Sequence, residues 1–112
     1  MIDRFNAISA TRLSAISFMS RAELLLWPKA NNWGALRTAE LHSMTDDFVT
    51  LYPDEETCEL WSRVRDDAGR KGRPIDVADA WIAATALQFA LPLLTRNARD
   101  FEFIDDLELI PL

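Results

Sequence analysis

The chain is predicted to be an α/β protein with a mostly parallel sheet covered by helices. Three observations point there. Short β-rich runs recur at residues 13–18, 48–52, 93–95 and 108–110. Segments with apolar residues at helical spacing separate them. Those segments are long enough to act as crossovers, which parallel pairing requires and hairpins do not. With 112 residues, nearly half of them apolar and three of them glycine, the chain is expected to form one domain over residues 1–112 around a single core.

Each element has its own grounds. Residues 13–18 form the first strand, and Ser20 is placed to cap the helix after it. That helix carries Glu23, runs through Leu24, Leu25 and Leu26, and is expected to stop at Trp27, because Pro28 disfavours helical geometry in the residue before it. Asn31, Asn32 and Gly34 make a turn. From Trp33 to Thr45, the residues Leu36, Ala39, Leu41 and Met44 recur at helical spacing and predict a second amphipathic helix, with Arg37, Glu40 and His42 turned to solvent. Residues 48–52 make a second strand that Pro53 ends, and Asp54 can cap the next helix. Cys58, Leu60, Trp61 and Val64 predict the apolar face of that helix, which reaches Ala68 and has its exit at residues 69–72. A further helix starts after Asp76 and runs to Ala90. Pro92 then gives way to the strand 93–95, and a last strand, 108–110, precedes Pro111.

Composition narrows the function. A net charge of -6 argues against a protein that simply coats nucleic acid, since phosphate binding is driven by clustered Lys and Arg. A nuclease that holds cations on carboxylates remains allowed, because a bound divalent metal reverses the local sign. Arg63, Arg65, Arg70, Lys71 and Arg73 fall close together just before Asp79. They form either a solvated helix end balanced by Asp66 and Asp67 or a basic lip that steers RNA. The lone Cys58, on the apolar face of Trp61, is expected to be a small buried hydrophobe and fits a reducing cytosol. The opening residues lack the apolar core of a signal peptide and no apolar run is long enough to span a bilayer, so a cytoplasmic location is expected. Trp27, Trp61 and Trp81 are expected in the core or in oligomer contacts, and His42 is given no catalytic part.

In an open parallel α/β sheet, ligands bind beyond the carboxyl ends of the strands, where the next helices begin. Glu23, Asp79, Asn97 and Asp100 can all reach that edge. Hard oxygen ligands there suit Mg²⁺ or Mn²⁺ and metal-assisted phosphodiester hydrolysis. Structural alternatives stay open: Asp76 and Asp79 have capping-box spacing, a helical Glu23 usually faces solvent, and Asn97 with Asp100 could cap a short turn.

The run Asp76-Val77-Ala78-Asp79-Ala80-Trp81-Ile82-Ala83-Ala84-Thr85-Ala86-Leu87, followed by Thr95-Arg96-Asn97-Ala98-Arg99-Asp100-Phe101, resembles the closing blocks of the PIN-domain family, in particular its VapC-type ribonuclease toxins. The block Ile16-Ser17-Phe18-Met19-Ser20-Arg21-Ala22-Glu23-Leu24 is similar to the family's strand-then-helix segment with a metal-binding Glu, matching Glu23, and Trp33-Gly34 looks like the variable middle of one subgroup. The resemblance implies a PIN-like three-layer fold and a Mg²⁺- or Mn²⁺-dependent endoribonuclease, the toxin of a toxin–antitoxin pair. Its implied partners are an RNA substrate, a cognate antitoxin and a second copy of the chain. It matches Glu23, Asp79 and Asn97, which are expected to serve catalysis, and Glu23 and Asp79 together with Asp100, a nearby carboxylate, are expected to hold the metal. One departure matters. The family's first metal-binding Asp ends an initial apolar strand in a motif like "LDTN", and this chain begins after it; Asp3 does not match. A strand and helix of about 30 residues are expected to be missing, with a gap at the centre of the sheet and little or no nuclease activity. The alternatives are a non-catalytic remnant that binds an antitoxin or PIN partner, and a start codon further upstream.

Overall fold

Among the described residues, four of the five strands point the same way, and the fifth lies between them in the opposite sense. In a computed structural model that describes residues 7–10 and 13–111, with side chains from Ala15 on, the strands are β1 (Ala7–Ala10), β2 (Leu13–Ser17), β3 (Val49–Leu51), β4 (Leu93–Thr95) and β5 (Leu109–Pro111). Among the described residues the helices are α1 (Phe18–Ala30), α2 (Ala35–Asp46), α3 (Glu55–Arg70) and α4 (Val77–Gln88), with a 3-10 turn at Ala98–Asp100. The sheet order is β3-β2-β1-β4-β5. β2 pairs parallel with β3 and β4 parallel with β5, while β1 is antiparallel to both β2 and β4.

The expected central gap is therefore absent. Ile8 lies opposite Ala15 on one side and Leu93 on the other, so an unforeseen strand fills the place between β2 and β4. Backbone groups of two central strands need partners. So soon before β2 only an antiparallel strand can supply them, because a parallel one needs a crossover of a dozen or more residues. Asp3 lies outside the described residues.

Alternation along the strands sorts the core into two layers. Ala15 and Leu93 join Val64, Ala68, Ile75, Ala80, Ile82, Ala83, Ala86 and Phe101 beneath α3 and α4. Ile16 joins Leu24 and Leu41 beneath α1 and α2, with Leu94 packed against them. This is the three-layer α/β arrangement. α4 is apolar nearly all round and correspondingly buried, from Ala80 through Ala86 apart from a half-buried Trp81. Trp81 stacks on Trp61 at 5.2 Å and meets the edge of Phe18 at 5.5 Å.

Several boundaries differ from expectation for local reasons. Ser17, not Ser20, caps α1, because the helix follows β2 without a loop and the Ser17 hydroxyl accepts the Ser20 N–H at 3.1 Å. Pro28 does not end α1. It sits buried in the last turn, where its missing N–H forgoes a single bond to Leu24 O and the helix continues for only two residues more. The helix ends instead in a Schellman motif with Asn32 left-handed at φ 54, Trp33 N–H donating to Pro28 O at 2.9 Å, and the Trp27 and Trp33 rings in contact. α3 and α4 end the same way, through Gly72 (φ 69) and Ala90 (φ 53).

Two predicted faces are rotated. On α2 the buried side is Leu41 and Thr45, leaving Leu36 76 % and Met44 42 % exposed while His42 is half-buried. On α3 the buried positions are Thr57, Val64 and Ala68, so Cys58 points to solvent. Thr57 takes the buried place because its hydroxyl bonds across to Gln88 of α4. Asp54 completes that brace: it caps α3 through Thr57 N–H and accepts from Gln88 Nε2 at 2.8 Å. The Thr57 N–H, aided by the Gln88 amide and the Thr57 hydroxyl, holds the Asp54 carboxyl below its usual value against a smaller opposing desolvation.

Candidate active site

α4 joins β4 through a short connection and must run opposite to it, so the start of α4 lies at the edge where β2, β3, β4 and β5 end. Asp76 caps that start by accepting the Ala78 N–H at 2.9 Å, which places Asp79 in the first turn, partly exposed. At the end of β4 the buried Thr95 hydroxyl accepts the Asn97 N–H at 3.0 Å, and Asn97 O accepts the Asp100 N–H at 2.9 Å. The 3-10 turn thereby folds Asp100 back toward α4. Asp76, Asp79 and Asp100 line one open depression of about 330 Å³, together with Arg73, Arg99 and Phe103.

Asp79 and Asp100 thus line the same depression. Glu23 and Asn97 do not line that depression. Glu23 is half-buried in the second turn of α1. Met19, one turn earlier on the same face, packs against the layer holding Ala80 and Ala83, which turns this face of α1 toward α4. The capping alternatives divide: Asp76 is a cap, whereas Asn97 makes no side-chain cap to the turn it precedes.

Among the described residues, no three His, Cys, Asp or Glu side chains stand close enough to enclose a metal ion. The donor set of Asp79 and Asp100 nevertheless fits Mg²⁺, which binds through one or two carboxylates and keeps several waters or substrate phosphate oxygens. Arg99 was given no role from sequence. Its signal was its place in the polar run after β4, one residue before Asp100.

The basic stretch divides as well. Arg70 pairs with Asp66 at 3.0 Å, one helical turn away. Lys71 donates to Phe103 O at 2.7 Å and to Asp105 at 3.0 Å, tying the segment after the 3-10 turn to the end of α3. Arg65 lies over the Trp61 ring and Arg73 over that of Phe103. Only Arg73 of the five lines the acidic depression.

Comparison with known proteins agrees with this geometry. The PIN-domain family model matches residues 3–107, and the chain belongs to that family. Its relatives place it with the VapC type. It is 34 % identical over 95 residues to Ribonuclease VapC1 of Haemophilus influenzae, a match covering 83 % of this chain and 69 % of the relative. Among solved structures it is similar to VapBC-1 of nontypeable Haemophilus influenzae, with a TM-score of 0.79, 28 % identity, and coverage of 93 % of this chain and 77 % of that one. It is also similar to VapBC-5 of Mycobacterium tuberculosis, a member of the VapBC family of toxin-antitoxin systems, with a TM-score of 0.73, 29 % identity, and coverage of 88 % and 81 %.

Proposed function

We propose that this chain is a metal-dependent endoribonuclease, the toxin of a toxin–antitoxin pair, hydrolysing RNA phosphodiester bonds with Mg²⁺ or Mn²⁺ as one PIN-like domain in the cytoplasm. The observation that carries this reading is the convergence of Asp79 and Asp100 at the carboxyl edge of the sheet, in a chain whose relative is named a ribonuclease. Glu23, Asp79 and Asp100 would hold the metal, and Glu23, Asp79 and Asn97 would serve the chemistry. When bound, such a cation lowers the pKa of a water and offsets the charge that grows on the phosphate. Asp79 and Asp100 supply the negative wall, and the Asp76 cap fixes the turn that aims Asp79. Asn97 brings a neutral amide, able to donate and accept, to the same edge.

The solved VapBC assemblies, described as toxin-antitoxin systems, suggest an antitoxin as a partner, and a second copy of this chain is the other partner proposed. Leu25 and Leu26 on α1, with Leu36 and Met44 on α2, are exposed large apolar side chains of the kind such partners cover. Among the described residues no helix is long and apolar enough to cross a membrane.

A second reading, a non-catalytic PIN chain that only binds an antitoxin or PIN partner, is favoured by one observation, the absence of a three-ligand metal group among the described residues. Incubating the purified chain with single-stranded RNA and Mg²⁺ or Mn²⁺, with and without chelator, separates the two. Cleavage that chelator abolishes supports the nuclease. Intact RNA under all conditions removes it and leaves the binding protein.

A further inference from the structure

We propose that Arg73 and Arg99 form a phosphodiester-binding pair at the mouth of the Asp79–Asp100 depression, gripping the RNA backbone beside the reacting phosphate. The inference rests on the nuclease reading and specifies which cations hold the substrate.

The basic residues before Asp79 are not equivalent. Arg70 and Lys71 are occupied by Asp66, Asp105 and a backbone carbonyl, and Arg63 borders a different cavity, between α3 and residues 103–106. Arg73 instead lines the depression, and Arg99 lines it as well from the 3-10 turn. Among the described residues neither guanidinium has a carboxylate within ion-pair distance, although both border a depression that Asp76, Asp79 and Asp100 line. Arg73 spends a single long bond, 3.4 Å from Nη2 to Arg99 O, and rests on the Phe103 ring at 5.1 Å. Most of its five N–H donors stay available.

Its position is also fixed in advance. The Arg73 N–H closes the end of α3 by donating to Ala68 O at 2.9 Å, with Gly72 left-handed at φ 69. Asp76, Asp79 and Asp100 share the depression with the two guanidinium groups and outnumber them, so the carboxylate side suits a cation while the arginine donors are left to face an anion that comes with it. In a chain of net charge -6, such an anion is held by specific donors rather than by a general positive field. A guanidinium fork matches two oxygens of a phosphate, and the carboxylates alongside suit the cation that accompanies it. Contacts of this kind position the backbone and carry no base preference.

The test measures binding of a labelled single-stranded RNA to the whole chain by fluorescence anisotropy, in excess chelator so that nothing is cleaved, over a series of salt concentrations. The Arg73→Ala/Arg99→Ala protein is compared with Arg63→Ala/Arg70→Ala, which removes the same charge elsewhere. Loss of two phosphate contacts should weaken binding about tenfold or more and reduce the salt slope by about 1.4, with little change in the control pair. If the alanine pair melts early, Arg73→Gln/Arg99→Gln is measured in its place. Equal weakening in both pairs would show a diffuse field, and unchanged binding in the site pair would show no contact; either overturns the proposal while leaving chelator-sensitive cleavage by the parent intact. A parent that neither binds nor cleaves RNA overturns the nuclease reading, and this inference with it.

Discussion

The two faces of the sheet are finished to different degrees. Beneath α3 and α4 lies a continuous layer from Ala15 through Phe101, with Met19, Trp61, Leu87 and Leu109 packed around it. Beneath α1 and α2 the buried apolar cluster among the described residues is smaller, Ile16, Leu24 and Leu41, and apolar side chains are spent outward, Leu26 at 59 % and Leu36 at 76 % exposure. The difference separates two tasks. The α3–α4 side can hold Asp79 and Asp100 in place by its own packing. The outward apolar side chains of the α1–α2 side gain from burial only when something covers them, as the proposed partners would.

The sharpest way to break that contrast is to truncate one residue on each side. Phe101 is fully buried against the α4 layer. Phe101→Ala should cost about 3–5 kcal/mol in a urea melt. Leu36→Ala on α2 should stay within about 0.5 kcal/mol. Comparable losses would mean that α2 is supported by the fold in a way its exposure denies.

The second prediction asks whether both sides serve the site. Asp79→Asn removes charge with little change of shape, so the melting temperature should hold while Mg²⁺-dependent RNA cleavage falls about 100-fold or more, the scale for removing one preorganised electrostatic contact. Glu23→Gln, on α1, should fall comparably. If only the Asp79 variant loses cleavage, the site belongs to the α3–α4 side alone and Glu23 leaves the mechanism.

Helix ends give a smaller and cleaner comparison. Ala90 holds a left-handed conformation at φ 53 where α4 ends, and Asn32 holds φ 54 where α1 ends. Alanine has no side-chain means of offsetting the steric cost, whereas asparagine visits this region readily, so Ala90→Gly should stabilise by about 1 kcal/mol and Asn32→Gly by much less. Equal gains at the two ends, read from urea midpoints, would remove the distinction.

How much of the molecule is legible in the sequence depends on how local each determinant is. β4 has its predicted limits and β3 lies within its predicted run, and α4 can be started at Asp76, because caps and apolar runs are written in neighbouring residues. The meeting of Asp79 with Asp100 is accessible because both follow from strand order, and the family's separated blocks reinforce it. β1 is not. Its four residues, Ala7–Ala10, carry little pattern of their own, and their place is dictated by the open backbone edges of β2 and β4. The faces of α2 and α3 differ from prediction because hydropathy favours Met44 and Cys58, whereas Thr45 and Thr57 win the buried positions by hydrogen bonding. Arg99 acquires meaning only when the 3-10 turn brings it to the depression that Arg73 also lines.

The smallest predicted effect lies in the brace between α3 and α4; on the other side Arg21 and Asp46 make a longer pair at 3.8 Å. Asp54 is held below its ordinary value of 3.8, first by the Thr57 N–H. A carboxyl depressed on folding contributes stability that is fully present above its unfolded pKa and is lost as pH falls through the folded value, because below it the folded and unfolded states are protonated alike. The Asp54 share of stability should thus be whole at neutral pH and disappear only at pH below about 3.8. Asn remains a good N-cap and does not titrate. Asp54→Asn should therefore melt close to the parent in the acid limit and fall modestly behind it as pH rises past the Asp54 transition. Parallel melting curves for the two proteins across that range would show that the Asp54 charge does not strengthen the brace, and the advantage of the α3–α4 side would then rest on its apolar packing alone.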